Sequence, residues 1–189
     1  MKPVYLANYL ALSLLLASLS SQALEYRELL TDQSTLSFTY RQMGVPMKGD
    51  FSRFTAQIAY DPAQPTTASA RFEVDLSSID VGYSDGNDEI LKADWLDTSK
   101  YPTAHFISRE ITPLDNNTLA IKGELNIKGK TLAVTAPLTI TKKGNTQIFS
   151  GSLPINRLNF AIGEGLWSDL NVVANEITIH FHLVTANEY

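Results

Sequence analysis

Three groups of side chains in this 189-residue chain have types and spacings that could do chemistry. The first is histidine. His180 and His182 stand two apart in an alternating stretch, so they project from one strand face, and His105 could complete a zinc or copper site with them. The same alternation sets them among polar neighbours on an outer face, where they need hold no metal. The second group is acidic: Asp85, Asp88, Glu89, Asp94 and Asp97 could pair for acid–base work, or could simply favour a helix start. The third is Arg157, near a strand end in Ile155-Asn-Arg157, a bidentate donor suited to a phosphate or carboxylate head group or to a structural salt bridge. No Gly-x-Ser-x-Gly elbow is present, and the absence of cysteine removes thiol nucleophiles, disulfides and Cys-ligated zinc. Two chemical readings remain as alternatives: a metal-binding exported protein using His180 and His182, and a hydrolase of lipid-like substrates.

The elements that must position these groups begin after an address label. Residues 1–23 carry Lys2, the apolar run Leu10–Leu19 and a small-residue ending at Ala23, the three parts of a secretory signal peptide. The run is too short to span a bilayer, which takes about 20 residues. Residues 24–189 then form one domain, expected to be exported. A formal net charge of −5 argues against a nucleic-acid partner.

Strict alternation recurs along that domain, the mark of half-buried strands. It runs through Leu36, Phe38 and Tyr40; Ala70, Phe72, Val74 and Leu76; Leu119 to Ile127; Leu132 to Ile140; Phe149 to Ile155; and Val173 to Leu183. Turn residues separate the runs at Asp61-Pro62, Asp115-Asn-Asn117, Lys128-Gly-Lys130 and Lys142-Lys-Gly-Asn145. Short turns give antiparallel hairpins, and seven or eight strands in this length suit an all-β antiparallel barrel, with a sandwich as runner-up. One or two short helices are expected: a segment over 85–97 with Leu91 and Trp95 one turn apart, and a short turn over Met47–Phe54.

Inward positions are apolar on every strand, and many are small, among them Ala70, Val74, Gly123, Val134, Ala136 and Gly151. An eight-stranded barrel is either just filled by side chains or holds one small ligand, and periodicity alone leaves both open. On side-chain parity, a tunnel would be lined by Leu36, Phe38, Phe72, Val74, Ile121, Leu125, Val134, Phe149, Leu153, Ile179 and Phe181. Phe51, Phe54, Leu91 and Trp95 would sit at its mouth.

The order of motifs resembles the YceI-like family. It runs from Ser34-Thr-Leu-Ser-Phe38 through Gly49-Asp-Phe51, Ile58-Ala-Tyr-Asp61, Ser78-Ile-Asp80, Asp94-Trp-Leu-Asp97, Tyr101-Pro102 and Phe106-Ile-Ser108. Gly123-Glu-Leu-Asn-Ile-Lys-Gly129, Ile155-Asn-Arg-Leu-Asn-Phe160 and Glu176-Ile-Thr-Ile-His180 complete it. The chain departs from the family pattern at Asn87, where a basic residue is usual, at Ala161, where glycine is usual, and at Ile90, where histidine is common. The resemblance implies a lipocalin-like barrel and a non-enzymatic, periplasmic protein that binds and carries a polyisoprenoid, an isoprenoid quinone or a similar acyl chain. It implies no cofactor other than that lipid. A transient membrane contact and a homodimer fit the same picture.

Overall fold

The computed structural model describes residues 27–115 and 117–186; the segment 1–23 lies outside them. Ten strands follow one another: β1 (Thr35–Gln42), β2 (Val45–Phe51), β3 (Phe54–Ala59), β4 (Ser69–Asp75), β5 (Ile79–Asp80), β6 (Thr103–Asp115), β7 (Thr118–Ile127), β8 (Lys130–Lys143), β9 (Thr146–Asn156) and β10 (Glu176–Ala186). One α-helix, α1 (Ser84–Ile90), lies between β5 and β6. Two hairpins turn on consecutive left-handed residues, Met43-Gly44 between β1 and β2 and Lys128-Gly129 between β7 and β8. That backbone matches the right-handed twist of the flanking strands.

All strands join one antiparallel sheet in the order β3-β4-β6-β7-β8-β9-β10-β1-β2-β5. Its two ends are linked through the chain itself. β2 runs into β3 at Ser52-Arg53, and β4 runs into β5 through a 3-10 turn at Leu76–Ser78. The two corners are hydrogen bonded: Ser52 N–H donates to Ser78 O at 3.2 Å, and Asp75 N–H to Arg53 O at 3.1 Å. The Arg53 guanidinium, in turn, reaches the Asp75 carboxylate at 2.9 Å. β2 pairs with β5 on one side of the corner and β3 with β4 on the other. Ten strands therefore make eight courses around the interior, two of them bent.

Three local expectations change. Met47–Phe54 is not a short turn: it is the end of β2, the corner and the start of β3. The helix expected over 85–97 stops at Ile90, and Leu91–Thr98 continues as turns, with Leu96 N–H on Ile90 O and Thr98 N–H on Leu91 O. Trp95 and Leu96, both buried, are therefore placed by these turns and not by a continued helix. β6 was hidden because the register shifts between Ser108 and Glu110, which moves the inward series from Ala104 and Phe106 to Ile111.

Candidate functional site

The sheet encloses an apolar cavity of about 260 Å³. All eleven residues assigned to a tunnel by parity, from Leu36 on β1 to Phe181 on β10, lie in its wall. The wall continues onto positions that parity did not reach: Phe106 and Ile111 on bulged β6, Tyr60 after β3, and Ile162 and Trp167 beyond β9. Burial raises the pKa of the Tyr40 hydroxyl, another wall residue.

The small inward residues do not all leave space. A Cβ on Gly123 would collide with the Phe106 ring, and one on Gly151 with the Phe181 ring. Each glycine is a seat for an aromatic ring from the neighbouring strand. Phe38 and Phe51 pack against each other with centroids 5.5 Å apart, which places Phe51 in the wall. Of the other three residues expected at the mouth, only Trp95 is part of the wall. Phe54 is buried at the start of β3, opposite Val74, and Leu91 is the C-cap of α1, packed half-buried against the core. Neither stands at an opening: Phe54 begins a bent strand, and Leu91 falls where the helix has already ended.

One end of the cavity is covered by a cap made of α1 with the turns after it, and of residues 157–175. Gln42, Tyr83, Glu89 and Trp167 border the cavity there, and Tyr83 is 46% exposed. Trp167 Nε1–H donates to Glu89 Oε1 at 3.1 Å, joining the two halves of the cap. A hydrogen bond from Lys92 at 2.6 Å, helped by the one from Trp167, holds the Glu89 carboxyl below its ordinary pKa.

Arg157 is the post of this cap and is fully buried. Its Nε donates to Ala174 O at 3.0 Å, Nη1 to Ile162 O and Gly163 O at 2.8 Å each, and Nη2 to Trp167 O at 2.7 Å and Val173 O at 2.8 Å. A guanidinium has five N–H groups, and these five carbonyls take them all. No donor remains for a lipid head group, and the binding partners are carbonyls in place of the expected salt-bridge acid. Burial pulls its pKa down. The Trp95 ring lies 5.7 Å from the guanidinium and 5.3 Å from the Trp167 ring. Lys128 Nζ adds a bond to Ala161 O at 2.6 Å and reaches Glu164 at 3.1 Å. Ala161 has φ of 57°, the left-handed conformation that makes glycine the usual residue there.

The chemical alternatives find less support. His180 and His182 do share an outer face, bonded to Thr39 Oγ1 at 3.1 Å and Ser150 Oγ at 2.9 Å. His105 is on β6, four strands from β10, roughly 19 Å along the sheet. Among the described residues no group of three metal-ligating side chains comes together. The acidic residues disperse: Asp85, Asp88 and Asp94 are exposed, Glu89 is bonded into the cap, and Asp97 accepts from Ser99.

Comparison with known proteins agrees with this geometry. The chain is similar to BcnA of Burkholderia cenocepacia, with 41% identity over 84% of this chain and all of that one and a TM-score of 0.82. It shares the fold of a polyisoprenoid-binding domain from Saccharophagus degradans at 15% identity and TM-score 0.68, over 88% of this chain and all of that one. Among curated proteins, a UPF0312 protein of Vibrio cholerae is 34% identical over 99 residues, 52% of each chain, so the match spans about half of that relative's length. A Shewanella baltica UPF0312 protein is 32% identical over 130 residues, 67% of this chain and 65% of that one. The YceI-like domain model matches residues 28–185, and the chain belongs to that family.

Proposed function

We propose that this protein is an exported carrier that takes one long apolar chain, such as a polyisoprenoid, an isoprenoid quinone or a similar acyl chain, into its barrel. The observation that carries this reading is the cavity: about 260 Å³ of apolar-walled space, reaching an exposed rim at the cap. The family assignment and the fold shared with a polyisoprenoid-binding domain support it.

Energetics favour exchange over storage. Burying a chain from water yields about 0.8 kcal/mol per methylene, but a lipid arrives from a bilayer that already keeps it dry. The hydrophobic gain on transfer is then close to zero, so exchange is near balance and cavity shape sets selection. The rim suits loading at a membrane surface. Met43, Val45, Tyr83, Leu166 and Leu170 are large exposed apolar residues on the elements of the cap and the adjoining hairpin, with Leu166 93% exposed. Met43 N–H on Val172 O holds that hairpin against the cap.

The test is transfer of all-trans-retinol, a fluorescent 20-carbon isoprenoid, between phosphatidylcholine vesicles. The wild-type protein should bind it and speed its transfer. A Leu166→Asp, Leu170→Asp variant should bind retinol as before but slow transfer. A wild-type protein that neither binds nor moves retinol contradicts the proposal.

A further inference from the structure

The cavity wall is apolar along its length and polar at its capped end. Three wall residues there make no side-chain hydrogen bond to a described residue: Tyr40 and Gln42 on β1, and Tyr83 before α1. The sealed polar atoms without a partner among the described residues are Ser69 Oγ and Trp95 Nε1, so the half-buried Tyr40 and Gln42 keep their polar ends open to contact. Tyr40 follows Leu36 and Phe38 on the inward series of β1, its ring 6.0 Å from that of Phe38, and Gln42 ends the same series. Tyr83 is the N-cap of α1, and its ring is seated on Gly86: a Cβ built there would collide with Cζ, the carbon that carries the hydroxyl. Packing thus fixes Tyr83 at the rim, where it is 46% exposed. Burial, and then the nearby Tyr83, push the Tyr40 phenol above its ordinary pKa and keep it a protonated donor at neutral pH.

The charged groups near this end are turned to other partners. Glu89 takes Trp167 Nε1–H on one oxygen and Lys92 on the other. Arg157 has every donor on a carbonyl. Arg41, between Tyr40 and Gln42, is exposed on the alternate series and donates to Gly44 O at 3.2 Å. His105 is also in the wall. It sits on the outward series of β6, opposite Glu73 and Asn126, and β6 is separated from β1 by the two bent courses on one side and by β7 to β10 on the other. Protonated, it has the Glu73 carboxylate across from it and does not stand beside Tyr40 or Gln42. Among the described residues of the wall there is no lysine or arginine.

Resting on the lipid-carrier reading, we infer that Tyr40, Gln42 and Tyr83 form a head-group subsite at the rim, which takes an uncharged head bearing a carbonyl or hydroxyl oxygen while the chain lies in the cavity. Two hydroxyls and a carboxamide supply both donors and acceptors without charge. A chain that fills the cavity displaces water from them; an oxygen at its end replaces those bonds, and a bare hydrocarbon does not. A diphosphate brings charge to an end whose wall contributes the Glu89 carboxylate and no lysine or arginine.

Competition against bound retinol, with the retinol affinity measured for each variant, compares three 20-carbon probes: geranylgeraniol, phytane and geranylgeranyl diphosphate. The double variant Tyr40→Phe, Tyr83→Phe keeps both rings and removes both hydroxyls. It should weaken geranylgeraniol about tenfold and leave phytane within twofold. Gln42→Leu, at the end of a strand, is a second and separate probe of the same subsite; it should weaken geranylgeraniol about threefold, again without loss of phytane. The wild-type protein should prefer geranylgeraniol to the diphosphate, a comparison that needs no variant.

Unchanged geranylgeraniol affinity in the folded variants, an equal loss of phytane, or a wild-type preference for the diphosphate overturns the inference while retinol and phytane binding keep the carrier reading intact. If neither retinol nor any of the three probes binds, both readings fall together.

Discussion

The barrel wall and the cap are built on opposite principles. The wall is apolar side chains projecting from a hydrogen-bonded ladder, and it leaves about 260 Å³ unfilled. The cap has few strand or helix bonds of its own and is tied by cations to backbone carbonyls: five on Arg157 and one on Lys128. A ladder satisfies its own backbone, so its interior can stay loosely filled. An irregular segment cannot, and a buried loop must find donors elsewhere. The wall should therefore tolerate changes in volume, whereas the cap should be intolerant of losing one residue.

The largest effect expected from that contrast is on Arg157. Arg157→Met leaves five carbonyls, three of them buried, without these donors and should destabilise the protein by about 4 kcal/mol. Chemical denaturation would show it as a fall in midpoint at unchanged slope; a loss below 1 kcal/mol would mean that the cap does not depend on this residue. Val134→Trp is the converse experiment in the wall. Its ring enters existing space, so stability should change by less than about 1.5 kcal/mol. Retinol affinity should nevertheless fall at least 100-fold, because the ligand's volume is taken. A folded Val134→Trp that binds retinol normally would remove the cavity from the account.

A smaller change sharpens the description of the cap. Ala161→Gly relieves a left-handed alanine and should raise stability by about 1 kcal/mol, measured by the same denaturation. The smallest effect concerns the latch between Glu89 and Trp167. The Glu89 carboxyl has its pKa lowered in the folded protein from the ordinary 4.5, first by Lys92. Its contribution is thus present above the ordinary value and lost as pH falls through the lower, folded one. Trp167 emission should change below pH 4.5 in the wild-type protein and stay flat over that range in Glu89→Gln. Matching titrations in both would place the emission change on another group.

The same contrast explains what could be read from residues alone. Period-two alternation marks an inward face, so Phe72, Leu125 and Ile179 could be placed in the wall without coordinates. Phe106 and Ile111 could not be joined into one strand, because the bulge at Ser108/Glu110 breaks the parity that would have linked them. The turn at Met43-Gly44 and the bent β2–β3 course it opens are not marked by the alternation, because the corner at Ser52-Arg53 interrupts it and makes Met47–Phe54 read as a short turn. Arg157 reads from its sequence neighbours as a head-group or salt-bridge donor, but its role is set by main-chain carbonyls, which leave no trace in side-chain patterning. Spacing places Trp95 at the mouth, whereas it is buried in the wall against the Trp167 ring and the Arg157 guanidinium, neighbours that no local pattern marks.

The most direct test of the central claim is native mass spectrometry of the protein purified from its own cells, followed by organic extraction and identification of what was bound. The account predicts one long-chain apolar lipid for each protein molecule, released on extraction. A protein that emerges empty, and that stays empty when geranylgeraniol is added, would contradict it.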